Sequence, residues 1–304
     1  MRSAPLVALL LLALAAPAAQ AEDGPCLPGG DGPRCTFWTG TVVHVHDGDT
    51  LEVRADGRNL RIRITGIQAM EQTVYSSFAS RRRGACHAVA ATNRLERIVG
   101  RRGGTVRLAA QDPDSRSGKR LRRSVAIRSG DGWQDVGSIL VAEGHALWLT
   151  NPVEWAWNET YAQLAEQAQA AGKRLWNPGA CGAGPAAGAD LGVSIRWDAA
   201  GVDVNNPNGE WIRVHNRSDR DVSLAGWSVR DSALRRFVFP AWATAAANSR
   251  VTVRVGRGEA RGNVFHWGMG EPVFENATGD GRNVGDGGYL FDPDGDIRAF
   301  EMYR

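Results

Sequence analysis

Beyond its opening residues the chain has no long apolar run, which excludes a multi-span membrane protein. The one run present, Leu6 to Ala16, is short for a bilayer-spanning helix. With Arg2 before it and the small-x-small triplet Ala19-Gln20-Ala21 after it, it predicts a cleaved export signal over residues 1–21. No cysteine stands beside that cleavage point, which argues against a lipid anchor there. Cysteine is scarce throughout, four in 304 residues. No two have the short spacing of a metal knuckle, so a zinc site is not expected. An even number of cysteines in an exported chain predicts disulfides among Cys26, Cys35, Cys86 and Cys181. Three pairings are open, and proximity favours Cys26 with Cys35, leaving Cys86 with Cys181. His44 and His46 share a strand face but have no third ligand beside them. Asp292-Pro293-Asp294-Gly295-Asp296 lacks the distal glutamate of a calcium loop and reads as a hairpin turn.

What is present is unevenly charged. From Thr36 to Ala180 there are 18 arginines and two lysines against 14 acids, a net +6; from Cys181 to Arg304 there are 14 arginines against 16 acids, a net −2. The first half is therefore the one suited to a polyanion. Removing the signal leaves about 280 residues, enough for two domains, each with its own core.

Residues 22–35, rich in Gly, Pro and Asp, predict an irregular leader. Thr41 to Val45, Thr50 to Arg54 and Leu60 to Ile64 read as a meander, with Asp56-Gly57 as a hairpin signal. Helical spacing of Val89, Leu95, Ile98 and Val99 predicts a helix over Cys86 to Val99. Two more strands follow, Thr105 to Ala109 and Leu121 to Ile127. Asp135 is placed to cap a short helix ending at Gly144, and Asn151-Pro152 with Glu154 opens one reaching Ala171. Five strands with a helix after the third predict an α+β, OB-fold barrel with three helices over residues 36–178. Residues 179–189, almost wholly Gly and Ala, predict a linker. Beyond it, Trp211 to His215, Trp227 to Val229, Phe237 to Phe239 and Val251 to Val255 predict an all-β sandwich over residues 190–304.

His46-Asp47-Gly48-Asp49-Thr50 falls at the tip between the first two strands. Asp-Gly alone is an ordinary turn signal; its weight comes from Arg63 on the third strand and Glu71 eight residues later. With an arginine-bearing strand around Arg122 and the ending Gly172-Lys173-Arg174-Leu175-Trp176, residues from about Phe37 to Pro178 resemble the staphylococcal nuclease family. The resemblance implies a calcium-dependent secreted endonuclease acting on single-stranded or unstacked DNA and RNA and leaving 3′-phosphate ends. It casts Asp49, Gln68 and the Ala69 carbonyl as calcium ligands, Arg63 and Arg122 as phosphate clamps, and Glu71 as general base. These residue types suit the chemistry. A phosphodiester needs a hard cation with oxygen ligands to neutralise charge and orient water, and it also needs fixed donors for the charge of the transition state, where arginine's fork matches phosphate oxygens. Arg122 is chosen from Arg120, Arg122 and Arg123; alternation puts the first two on one face. Where the family reads Asp-x-Pro-Glu, this chain reads Gln68-Ala69-Met70-Glu71, so one ligand charge is missing and calcium affinity falls or another divalent ion is preferred. Trp148, Trp155 and Trp157 are the candidates for stacking on bases. Arg81 to Arg83 and Arg101-Arg102 read as solvated surface.

Asn208-Gly209-Glu210-Trp211-Ile212, His215-Asn216-Arg217-Ser218, Val222 to Trp227 and the closing Tyr289-Leu290-Phe291-Asp292 resemble the lamin tail domain, an immunoglobulin-like module. That resemblance implies an accessory or targeting unit with an unidentified partner, and Trp211 and Trp227 in its core. Two other readings stand beside the nuclease. One is a non-catalytic nucleic-acid-binding protein; the other is a cell-envelope protein acting through the sandwich, secreted and held at the cell surface.

Overall fold

The structure, a computed structural model, describes residues 21–28, 32–72, 86–100, 102–233 and 235–304. The export signal, Ala21 excepted, and Arg81 to Arg83 and Arg101 lie outside the described residues. Among those described, no helix is long and apolar enough to cross a membrane.

The leader is more ordered than its composition implies. Strand β1 (Glu22–Pro25) pairs antiparallel with β2 (Arg34–Asp47), and the Cys26–Cys35 disulfide joins their adjoining ends, Cα atoms 4.9 Å apart. Pro25 ends this edge strand, where its missing N–H costs no ladder bond. The meander continues through β3 (Thr50–Ala55) and β4 (Arg58–Ile64). Asp56 and Gly57 between them both have positive φ, 49° and 73°, the two-residue turn that matches strand twist. The chain then runs through β5 (Ile67–Ala69), α1 (Ala88–Val99), β6 (Thr105–Ala110), β7 (Arg116–Ser117), β8 (Arg120–Ser129) and β9 (Gly132–Asp135). It ends this half in α2 (Val136–Ala142), β10 (Ala146–Trp148) and α3 (Asn158–Ala170).

Hydrogen bonding runs β2-β3-β4-β8-β6, and β6 returns to β2, so the five strands close on themselves as a barrel. β4 and β8 meet in parallel. Asp135 caps α2 as its position predicts, accepting the Ser138 N–H at 2.7 Å and the Tyr161 hydroxyl at 2.8 Å. α3 starts seven residues beyond Asn151, the expected start. The Asn151 side chain accepts the N–H groups of Val153 and Glu154, and the buried Glu154 carboxylate accepts those of Gln111 and Asp112. These bonds hold the intervening residues as an Asx turn followed by a 3₁₀ turn, Trp155–Trp157, rather than the helix's first turn.

The C-terminal half comprises β11 (Leu191–Arg196), β12 (Trp211–Asn216), β13 (Val222–Ser223), β14 (Ser228–Asp231) and β15 (Arg236–Val238). It continues through β16 (Thr244–Ala245), β17 (Ser249–Arg254), β18 (Val264–His266), β19 (Asp286–Phe291) and β20 (Ile297–Tyr303). Sheet β11-β12-β17-β18 faces sheet β15-β14-β19-β20 across a core of Ile212, Val214, Trp227, Val229, Phe239 and Val253. Trp227 is in that core, but Trp211 is only half-buried, because the alternation of β12 sends Ile212 and Val214 inward. Trp211 instead stacks under the Arg213 guanidinium, 4.0 Å from its ring centre. The 292–296 segment is the β19–β20 hairpin turn, with Asp292 accepting the Asp294 and Asp296 N–H groups.

The two halves are packed together. One apolar cluster contains Trp148, Trp157, Tyr161 and Trp176 from the first and Val284, Tyr289, Phe291 and Ile297 from the second. Trp176 lies 5.0 Å from the Phe300 ring, Thr150 donates to the Gly285 carbonyl at 2.7 Å, and Arg304 pairs with Glu159 and Glu166. The Gly/Ala segment between them is also tied down: Arg298 donates to the Gly182 carbonyl and Arg220 to that of Ala187. The second disulfide, Cys86–Cys181, fixes the start of α1 to the end of this half, Cα atoms 6.0 Å apart.

Candidate functional site

The β2–β3 tip brings Asp49 inward. Asp47 accepts the Asp49 N–H at 3.0 Å, which tightens the turn. A Cβ on Gly48 would lie 2.7 Å from those of Ala69 and Ala91, so only glycine lets the tip approach β5 and α1 this closely. Asp49 is buried and accepts the Ala69 N–H at 2.7 Å, the Thr50 hydroxyl at 2.9 Å and the Arg63 guanidinium. Burial pushes its pKa up to about 7; Arg63 opposes that shift and Asp47 adds to it.

Strand register assembles the rest. Thr50 pairs with Arg63 across β3 and β4, and Arg63 pairs with Arg122 across β4 and β8. Arg63, Gln68, Glu71, Arg120, Arg122 and, from the second half, Ala233 line one cleft of about 290 Å³. All three expected catalytic residues and Gln68 therefore converge. Arg120 donates to the Thr50 hydroxyl at 3.1 Å. Arg122 has no side-chain hydrogen-bond partner among the described residues, and burial, then the neighbouring Arg63 charge, lowers its pKa. Arg123 points elsewhere, as alternation requires: it stacks 4.6 Å from the Trp38 ring centre and donates to the Pro113 carbonyl at 2.6 Å.

The oxygens expected to hold calcium are already engaged. Arg63 donates to both Asp49 and the Gln68 amide oxygen. Because a guanidinium only donates, it fixes the orientation of that amide. The Gln68 nitrogen must then face the Ala69 carbonyl at 3.2 Å and Glu71 at 3.1 Å. As arranged, the set does not fit a calcium ion: one ligand carboxylate is neutralised by Arg63, and amide hydrogens point where a cation would draw on Ala69 and Glu71. Among the described residues, the one grouping of three His, Cys, Asp or Glu donors is Cys86, His87 and Cys181, whose sulfurs form the disulfide.

A second cleft of about 380 Å³ adjoins the first through Ser117 and Arg120, adding Arg61 and Lys119. Arg61 shares Arg63's strand face by simple alternation, a signal the sequence offered; Lys119 lies in the β7–β8 turn and had none. Two of the expected stacking residues are unavailable, because Trp148 and Trp157 are core, 1% and 2% exposed. Trp155 is half-buried with the Arg282 guanidinium 5.8 Å from its ring centre. His44 and His46 stack edge to face, ring centres 4.6 Å apart.

Fold and site together define a mostly β protein in which a barrel with an arginine-lined cleft is docked on an immunoglobulin-like sandwich. Residues 196–303, nearly the whole sandwich, match the family described as Lamin Tail Domain. No curated protein matches the chain.

Proposed function

We propose that the barrel is an OB-type unit of the staphylococcal nuclease kind that hydrolyses phosphodiester bonds in single-stranded or unstacked DNA and RNA. The observation that carries this reading is the cross-strand pair Arg63 and Arg122 in one cleft with Glu71. The arginines grip the phosphate and offset the charge that builds in the transition state. Glu71, exposed and oriented by the Gln68 amide, takes the proton of the attacking water. Water oxygen bonds to phosphorus, the P–O5′ bond breaks, and the leaving oxygen takes a proton from solvent. The sandwich serves as accessory unit, and the two disulfides fit a chain secreted into an oxidising compartment.

The test is cleavage of denatured DNA by the disulfide-bonded protein in calcium, in magnesium or manganese, and in chelator, beside Glu71→Ala. Cutting lost in the variant supports the reading. Cutting that persists in chelator assigns the cation's role to the arginines. A second reading, a non-catalytic binder, is favoured by Arg63's commitment to Asp49 and Gln68. Salt-sensitive binding without cutting in any metal would replace the enzyme reading with this one.

A further inference from the structure

The sandwich contributes to the cleft it lies against. β14 alternates, with Val229 in the sandwich core and Arg230 on the opposite face, its guanidinium 4.6 Å from the Phe291 ring centre. Phe291 and Tyr289 belong to the apolar cluster shared with the barrel, so Arg230 stands on the docked face of its sheet. Just beyond it, Ala233 forms part of the cleft wall with Glu71, Arg120 and Arg122. Arg230 is half-buried, and its Nε is shielded from solvent with no hydrogen-bond partner. Burial first, then Arg236, lowers its pKa to about 10, and Glu71 is the leading charge opposing that. The guanidinium is still charged at neutral pH and interacts with the Glu71 charge of a cleft that already holds three arginines.

We propose that Arg230 is a substrate-binding residue supplied by the sandwich, gripping the backbone phosphate of the same single strand that Arg63 and Arg122 engage. The proposal rests on the nucleic-acid reading above. It gives the rigid docking a purpose: a phosphate contact from a second unit adds affinity only if its position relative to the first is fixed. The shared cluster around Trp176, Tyr289 and Phe291 fixes it.

The test titrates fluorescein-labelled oligo(dT) with the full mature protein in chelator, by anisotropy over a range of NaCl. Arg230→Met keeps the stem on Phe291 and removes the charge, Arg230→Lys restores the charge, and Arg250→Met, at an exposed position of β17, controls for net charge. Arg230→Met should bind roughly tenfold more weakly at low salt. Its log–log salt slope should shrink by about 0.7, one single-strand phosphate contact. Arg230→Lys should recover most of both, and Arg250→Met should match wild type. Equal behaviour of Arg230→Met and Arg250→Met overturns the proposal while leaving the nucleic-acid reading intact; wild type that binds no strand overturns both. Should Arg230→Met lose its cooperative melting, Arg230→Gln, which removes the charge but keeps a polar head, carries the test, and binding there equal to that of Arg250→Met overturns the proposal.

Discussion

Arg63 and Arg122 are Cα partners on the parallel strands β4 and β8, yet the cleft treats them differently. Arg63 is buried and gives three of its five N–H donors to Asp49, Gln68 and the Ile67 carbonyl, whereas the Arg122 side chain has no hydrogen-bond partner among the described residues.

Substituting each should separate these roles. Arg63→Ala leaves the Asp49 carboxylate buried without its counter-charge and should lower stability by about 3 kcal/mol. Arg122→Ala strands no partner; its melting temperature should match wild type while cleavage falls roughly 100-fold or more. Thermal melts beside cleavage rates check both, and an equally destabilised Arg122→Ala would contradict the assignment.

Gln68→Asp should exchange a self-satisfied network for a metal-dependent one. A carboxylate there faces the Ala69 carbonyl and Glu71, both acceptors, with no hydrogen to offer them. The variant should melt below wild type in chelator and recover in millimolar calcium, a response wild type lacks. Calorimetric titration with calcium measures the same gain directly.

The two halves should unfold together. Trp176, 3% exposed, sits between the barrel helices and the Tyr289 and Phe300 rings. Trp176→Ala should cost about 3–5 kcal/mol. Wild type should show one denaturant transition by both fluorescence and far-UV circular dichroism; two separated transitions would show that the shared cluster does not couple the halves.

Stability should fall as pH rises from about 4.5 to about 7 through Glu210. This carboxyl is fully buried; one oxygen accepts the Val273 N–H at 2.8 Å while the other is unpartnered. Burial pushes its pKa up to about 7. A raised carboxyl pKa means the folded state holds the proton longer, so its contribution is complete below the unfolded pKa and is lost as pH climbs to the folded one. Melting temperatures of wild type and Glu210→Gln across that range check this, and the variant should show a flatter profile.

Opening the Cys86–Cys181 bridge should be costly, since it closes a loop with a sequence separation of 95. The Cys86→Ala/Cys181→Ala pair should lose up to about 4 kcal/mol, measured by urea denaturation. The much shorter Cys26–Cys35 loop should cost less.

Local signals were sound in the sequence because their causes are local. Asp56-Gly57 can take the positive φ of a tight hairpin, Asp135 can cap α2 by reaching an N–H three residues on, and the period change marks α1, although of its expected apolar face Val89 is 50% exposed while Ala88, Ala91, Leu95 and Val99 are buried. Asp49, Arg63 and Glu71 stood out by spacing, and they do share one neighbourhood. What failed locally failed for the same reason: the Asn151 segment forms an Asx turn and a 3₁₀ turn because Gln111 and Asp112, distant in sequence, reach its Glu154.

From the residues alone came the strand and helix periods, the sandwich signature, and a preference by proximity for one of three cysteine pairings that left the choice open. Long-range packing set β4 and β8 in parallel with Arg63 beside Arg122, and it gave Arg123 the Trp38 ring as its partner. It alone decided that Trp148 and Trp157 are core rather than cleft, and that Ala233 of the sandwich walls the cleft of the barrel. These outcomes depend on which distant surfaces exclude water from one another. Burial of the apolar cluster around Trp176 is a sum over contacts between segments far apart in the chain, and no short window of residues encodes which partner each will meet.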